Sequence, residues 1–262
     1  MHEKMTQDQR LDYLVKAFKE DSGKYRSLQP PADAEGKRIL LRSLMNIRMP
    51  RKLPDDVLAI QDEYLIERNA EKGIVHLSDI PMIRDGLSLW QGDITRLAVD
   101  AIVNAANSQM LGCWVPGHHC IDNAIHTYAG VQLRIECARL MDAQGGEEPT
   151  GQAKVTSAYN LPARRIIHTV GPIANGCPTA RHRAELASCY RSCLDAAAAE
   201  GLRSIAFCCI STGIFGFPQK EAAAIAVRTV RAWLAETGTE MVVVFNVFGE
   251  KDERLYRALL GL

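Results

Sequence analysis

Six short apolar runs, "LSLWQGDI", "AIVNAAN", "AKVTSAYNL", "RIIHTVGP", "SIAFCCIST" and "MVVVFNVF", recur along the chain from Ile83 onward, separated by longer segments whose apolar residues fall at helical spacing. A strand that is apolar at consecutive positions has no face to give to water, so it must be covered on both sides. The cover is at hand in helices over "CIDNAIHTYAGVQLRIECARLMDAQ", "ARHRAELASCYRSCLDAAAAEG", "PQKEAAAIAVRTVRAWLAETG" and "KDERLYRALLG". The alternation predicts an α/β layer fold. Upstream the rhythm is helical only. "TQDQRLDYLVKAFKED" sets Leu11, Leu14, Val15 and Phe18 on one face behind a Thr6 N-cap, and "GKRILLRSLMNIRM" and "PDDVLAIQDEYLIERNAEKG" follow, the last opening with a proline and two acids suited to a helix N-terminus. The reading divides the chain into a helical N-terminal region, 1–75, and an α/β unit, 76–262.

Charge excludes several function classes. The 31 basic and 31 acidic residues cancel, so no overall field draws the chain to nucleic acid or to an anionic membrane, and any anionic ligand must be held locally. No apolar run approaches the roughly 18 residues of a spanning helix, and "MHEKMTQDQRLDYL" lacks the apolar core of a signal peptide, which predicts a soluble, cytoplasmic protein. In that setting the eight cysteines are expected to be reduced. Cys208 and Cys209 read as strand residues packed as small hydrophobes, and Cys189 and Cys193 as a pair one helical turn apart.

Several motifs sit at the ends of the predicted strands. "QGDIT" puts the Asp93 carboxylate at a strand mouth, where an N-cap of a turn is the plainer reading. "VNAAN" supplies two amides, Asn104 and Asn107, with small residues between them. "ISTGIFGFP" lies between a strand and a helix, and Gly213 and Gly216 permit the positive φ angles of a backbone nest around an anion. "HTVGP" carries His168, read as a satisfied core residue. "GCWVPGHHC" gathers Cys113, His118, His119 and Cys120 within nine residues. Thiolates and imidazole suit Zn²⁺, and two sulfurs with one imidazole leave one tetrahedral position open, as catalytic zinc sites do. A cluster that merely packs without metal, or one closed by a fourth protein ligand, is the alternative.

Taken together, "GDIT", "VDAIVNAAN", "IDNAIHTYAG", "PTGQAKVTSAYNLPARRIIHTVGP" and "ISTGIFGFP" resemble, in order and approximate spacing, the macrodomain family and its MacroD-type branch of ADP-ribosyl hydrolases. The resemblance runs from about Trp90 to the C-terminus. It implies a three-layer α/β/α sandwich around a mixed sheet, with ADP-ribose in a crevice at strand ends. It implies that Asp93 accepts from the adenine amino group with Ile94 beside it, and that Asn107 bonds the distal ribose. Ile121 joins the substrate contacts; Ser211, Thr212, Gly213, Ile214, Phe215 and Gly216 cradle the diphosphate, Phe215 also shielding the ribose, and Phe248 stacks on adenine. Where most MacroD-type proteins carry a glycine run, this chain carries "GCWVPGHHC", which resembles the zinc-containing macrodomain subclass. That likeness points to Cys113, His118 and Cys120 as ligands of one Zn²⁺; His119, set between two of them, is expected to point away and is the alternative ligand to His118. Asp122 matches the aspartate that activates water in many MacroD-type hydrolases, and it also reads as the N-cap of the helix that follows.

The function implied is a zinc-dependent hydrolase that removes mono-ADP-ribose from protein side chains, through ester-type or other O-linkages, with Asp122 and Asn107 as catalytic residues. Partners implied are ADP-ribose and a mono-ADP-ribosylated protein, with a lipoyl-carrier-like protein modified by a sirtuin-type transferase as a candidate. The alternatives are an ADP-ribose reader in which zinc is structural, and an O-acetyl-ADP-ribose deacetylase. The N-terminal region reads either as a cap on the sheet or as a recognition element for the modified protein.

Overall fold

A computed structural model describes residues 5–262. Three helices come first, α1 (Gln7–Ser22), α2 (Ala34–Asn46) and α3 (Asp55–Glu71). Thr6 caps α1 as expected, in a reciprocal box with Gln9, and the proline and two acids of "PDD" open α3. Their apolar faces meet in a cluster built on Leu11, Leu14, Phe18, Leu41, Leu44 and Leu65, which Val131 also joins.

The remainder alternates as the apolar runs predict. Strands β1 (Val75–His76), β2 (Met82–Arg84), β3 (Leu87–Gln91), β4 (Leu97–Ala98) and β5 (Ala101–Ala106) precede α4 (Ile121–Ala129) and α5 (Val131–Gln144). Then come β6 (Ala153–Ser157), β7 (Arg165–Val170), α6 (Ala180–Ala199), β8 (Ser204–Phe207), α7 (Gln219–Thr237), β9 (Val242–Val247) and α8 (Glu250–Leu260). Seven strands form a mixed sheet in the order β2-β3-β9-β8-β5-β7-β6, with β3, β9, β8, β5 and β7 parallel and the two edge strands antiparallel. The crossover from β5 toward β7 runs one way along the sheet, and those from β7 to β8 and from β8 to β9 run the other way. Right-handed connections therefore put α4 and α5 on one face and α6 and α7 on the opposite face. This is the three-layer α/β/α sandwich.

Two local expectations are corrected. Cys208 and Cys209 lie just past β8, which ends at Phe207, because the chain turns there into the glycine-containing loop; Cys208 is still buried like a small hydrophobe. The helical stretch 121–144 is two helices, broken at Gly130, whose φ of +102° and crowded surroundings admit no side chain: a Cβ would meet Gln132 Oε1 at 2.7 Å and Gln61 Nε2 at 2.8 Å. The short pair β1–β4 and the edge strand β2 carry too few apolar residues to show in the sequence.

The helical N-terminal region and the α/β layers meet through buried polar groups as well as through Val131. Arg134 of α5, 5% exposed, donates from Nη1 to the carbonyls of Met45 (3.3 Å), Asn46 (2.8 Å) and Arg48 (2.7 Å) and from Nε to Leu111 O (2.5 Å). It thus caps the C-terminal end of α2, where the helix dipole favours a cation. Asn69 of α3 donates to the carbonyls of Tyr128 and Asn160. Arg134→Met strips the buried carbonyls of their donor, each such loss costing about 1–3 kcal/mol. Urea denaturation of the variant is expected to show a loss of at least ~3 kcal/mol; a change below ~1 kcal/mol sinks this account of the interface.

Candidate functional site

Parallel pairing sends the C-terminal ends of β3, β9, β8, β5 and β7 to one edge of the sheet, and each expected strand-end motif leaves from that edge. Asp93 follows β3, Phe248 follows β9, the loop 208–217 follows β8, and Asn107 follows β5. Pairing of β5 with β8 extends only over Ala101–Ile205 and Ile102–Ala206, whereas β5 stays paired with β7 along its full length. The two strands therefore part between the upper half of β5 and the start of the 208–217 loop, at the point where the strand order reverses, which is where the crevice of an open α/β sheet holds its ligand.

The loop after β8 is held by a facing segment. Phe215 O accepts from Ala174 N (2.8 Å) and Asn175 N (3.1 Å), Gly216 O from Gly176 N (2.8 Å), and Ser211 O from Phe217 N (2.9 Å). The N–H groups of Gly213, Ile214 and Phe215 take no acceptor among the described residues, so they are available to an anion. One detail corrects the sequence reading: the positive φ angles belong to Ser211 (+64°) and Gly216 (+65°), and Gly213 is not among the positive-φ glycines. Ser211 is buried against Gly171, where any Cβ would meet its Oγ at 2.0 Å. Ile214 and Phe248 are exposed at 76% and 79%, as side chains facing an open crevice would be.

Asp93 is more heavily engaged than its motif suggests. Its Oδ1 accepts from Thr95 N (3.0 Å) and Thr95 Oγ1 (2.6 Å), which makes it the cap of the 3₁₀ turn at Ile94–Arg96, and its Oδ2 pairs with Lys72 Nζ at 2.7 Å. Lys72, at the C-terminal end of α3, also lies 3.5 Å above the Tyr128 ring. Burial pulls the Asp93 carboxyl upward, but the Lys72 ammonium and Thr95 outweigh it and hold the group below its ordinary value. No motif announces Lys72; a lysine ending a helix is usually a partner of the helix dipole.

At the other end of the crevice, the loop 112–120 turns on Gly112 (φ +79°) and Gly117 (φ +66°) and brings Cys113 Sγ, a His118 ring nitrogen and Cys120 Sγ within 4.8 Å of one another. Cys113 Sγ lies 3.6 Å from His118 Nδ1, while His119 is exposed outside the group. Two sulfurs and one imidazole converging from one loop fit a borderline-soft divalent cation such as Zn²⁺ and leave a tetrahedral position for a further ligand. Asn107 is tied to the same loop: its Nδ2 donates to Gly112 O at 3.1 Å and its Oδ1 accepts from Gln109 N at 3.1 Å.

The N-cap of α4 is Cys120, whose Sγ accepts from Asn123 N at 3.4 Å, so the expectation that Asp122 caps the helix is corrected. Cysteine two residues earlier occupies the extended position just before the helix, which frees Asp122 to turn inward. Asp122 is 5% exposed, its Oδ1 accepts from Asn104 Nδ2 at 2.8 Å, and burial pushes its carboxyl up to about 6 against the opposing pull of Asn104 and Arg134. Asn104 itself faces the core: it also meets His168 Nδ1 at 3.1 Å, while His168 Nε2 meets Thr156 Oγ1 at 2.9 Å. His168 is the satisfied core residue expected, and burial holds it neutral, at about 3. Ile121 is half-buried at the first position of α4, beside the crevice. His126, Cys137 and His168 form a second close group of donor atoms, all fully enclosed in the core beneath Asp122.

A family model described as Macro domain matches residues 103–226. A protein-ADP-ribose hydrolase of Treponema medium is 53% identical over 261 residues, which cover 98% of this chain and 100% of that one. The chain belongs to the macrodomain family. A Staphylococcus aureus (strain MRSA252) relative, also named protein-ADP-ribose hydrolase, is 48% identical over 95% of this macrodomain and 94% of its own length. The Trypanosoma brucei macrodomain, solved in complex with ADP-ribose, aligns with a TM-score of 0.66 at 32% identity over 84% of this chain and 95% of that one. With relatives so named matching nearly its whole length, this macrodomain is a hydrolase. Among its described residues no helix is long and apolar enough to cross a membrane.

The depressed Asp93 gives a signed prediction. A carboxyl whose folded value lies below its unfolded value adds stability that is fully present above the ordinary carboxylate range and is lost as pH falls through the folded value. The stability advantage of wild type over Lys72→Met, measured by urea unfolding from pH 7 down to about pH 3, is therefore expected to shrink steadily below about pH 4. An advantage that stays constant or grows on acidification contradicts the pairing.

Proposed function

We propose that this macrodomain hydrolyses the bond between ADP-ribose and a modified protein side chain, at an ester-type or other O-linkage, with one Zn²⁺ held by Cys113, His118 and Cys120. The observation that supports the reading is that a soft-donor cluster and a loop with three unpaired N–H groups follow β5 and β8 at the same edge of the sheet, with a buried carboxylate, Asp122, two residues after the last donor. The names of the Treponema and Staphylococcus relatives support the substrate class, and the Trypanosoma complex supports ADP-ribose as the ligand.

The chain's own residues divide the work by position. The free N–H groups of Gly213, Ile214 and Phe215 hold the diphosphate, as a nest holds an anion. Asp93 accepts from the adenine amino group at the far end, and the exposed Phe248 ring stacks on the base. Asn107 fixes the distal ribose, giving up its internal bonds to do so. Asp122 orients the attacking water and takes its proton at a carboxylate oxygen, Asn104 holding the other oxygen in place. Hydrolysis then leaves the hydroxyl on one product and the proton on the other. Zn²⁺ held by Cys113, His118 and Cys120 would supply Lewis acidity at neutral pH.

Purified protein is expected to carry about one zinc per chain and to release ADP-ribose from a mono-ADP-ribosylated protein. Cys113→Ala should lose metal and lower turnover by about 100-fold or more while keeping its fold and its affinity for ADP-ribose, and Asp122→Asn should keep the metal and lose turnover to a similar degree. Full turnover by metal-free Cys113→Ala refutes a catalytic zinc. Wild type that binds ADP-ribose but releases none from ester-type, serine-type or O-acetyl substrates makes the crevice a reader.

A further inference from the structure

The loop 112–120 has no regular secondary structure; one turn bond, His118 N to Val115 O at 3.2 Å, is its internal backbone support among the described residues. Metal donors need more than that, since groups outside the coordination sphere fix donor orientation and usually matter to affinity by one or two orders of magnitude. The outside support comes from the helical N-terminal region.

Arg42 and Asn46 stand one turn apart on α2, hence on one face of it. Asn46, 2% exposed, accepts from Gly117 N at 2.9 Å through Oδ1 and donates to Thr127 Oγ1 at 3.0 Å through Nδ2. Arg42 Nη2 donates to His118 O at 3.0 Å, and its Nε and Nη2 both donate to Asn123 Oδ1, at 3.1 and 2.7 Å. Asn123, fully buried, donates from Nδ2 to Val115 O at 3.0 Å and from its backbone N–H to Cys120 Sγ at 3.4 Å. One guanidinium therefore binds the carbonyl of one donor residue and the side-chain amide of Asn123, whose backbone N–H bonds the sulfur of another. It also brings a positive charge to a corner that must hold two thiolates.

We propose that α2 is the scaffold of the metal loop, with Arg42 and Asn46 as positioning residues that hold His118 and Cys120 in register for the cation. The proposal rests on the zinc reading above and goes beyond it: the N-terminal region is part of the site and not only a cover on the sheet. Arg42 acts through its fork, two nitrogens on Asn123 and one also on His118 O, which a lysine's single ammonium does not reproduce.

The test uses the full chain: wild type, Arg42→Lys, Arg42→Ala, Asn46→Ala and, as a control on the same helix, Lys37→Ala, whose side chain pairs with Asp12 away from the loop. Zn²⁺ affinity is read by competition with a chelating dye, and donor geometry by the visible spectrum of the Co²⁺-loaded protein, with circular dichroism to follow folding and ADP-ribose affinity measured alongside. Arg42→Lys and Asn46→Ala are expected to weaken Zn²⁺ binding by about 10- to 100-fold and to alter the Co²⁺ bands, with helix content and ADP-ribose affinity kept and Lys37→Ala like wild type. Arg42→Lys, half-buried and still charged, keeps the test decisive if Asn46→Ala fails to fold. Variants with wild-type Zn²⁺ affinity and spectrum overturn the proposal and leave the zinc reading standing. A wild type that takes up no metal overturns both, and a Lys37→Ala loss equal to that of Arg42→Lys also overturns it, by showing a general effect of weakening α2.

Discussion

A buried arginine that makes no ion pair among the described residues holds this molecule together at its most consequential junction. Arg134 is enclosed at 5% exposure, and although burial lowers it to about 10 it stays protonated at neutral pH. Its charge is answered by carbonyl dipoles, three of them gathered where α2 ends. The same guanidinium holds Leu111 O at the entry to the loop 112–120 and lies 4.1 Å over the Trp114 ring within it. Because an uncompensated buried cation is so costly, the end of α2, the start of α5 and the base of the loop have little freedom to move separately. The reach of Arg42 and Asn46 into that loop depends on this arrangement.

Beneath the crevice lies a polar layer in an otherwise apolar sheet. Asn104 and His168 are register partners on β5 and β7, and with Thr156 and Asp122 they form a chain of hydrogen bonds fully shielded from solvent. Both histidines of the layer are held neutral by burial, His126 with the further opposition of His168 and Arg134. No imidazolium is therefore present to stabilise the Asp122 anion, and its carboxyl rises toward neutrality. The hydrogen bond from Asn104 Nδ2 gives the carboxylate one orientation, while Asn104 Oδ1 and both His126 ring nitrogens take no hydrogen bond among the described residues. Above this buried layer, the side chains of Ile214 and Phe248 are exposed.

Much of this was legible in the chain. The apolar runs specified strands that need cover on both faces, the glycine-containing "ISTGIFGFP" marked the loop whose N–H groups stay unpaired, and the crowding of cysteine and histidine in "GCWVPGHHC" marked the three donor atoms that converge. These signals are local: residue type and spacing within a few positions carry them. What misled was also local. Gly213 and Gly216 looked like the residues of the unusual backbone angle, but Ser211 adopts it in place of Gly213, with its side chain packed against Gly171 from another strand end. Asp122 looked like a helix cap, but a cysteine sulfur took that position once the loop turned back on itself.

Sequence by itself determined the layer architecture, the strand-end placement of Asp93, Asn107 and the 208–217 loop, and the donor chemistry of Cys113, His118 and Cys120, since each follows from hydrophobic period, backbone permissiveness or ligand type. Tertiary structure alone decided that Lys72 pairs with Asp93, that Asn104 and His168 secure Asp122 from below, and that Arg42 and Asn46 of the helical region hold the loop 112–120 from outside. The reason is that these contacts join residues far apart in the chain, 81 positions between Arg42 and Asn123 and 64 between Asn104 and His168, where no periodicity or motif links the partners. Their geometry comes from packing helices against a sheet whose strand order had first to bring the distant segments together.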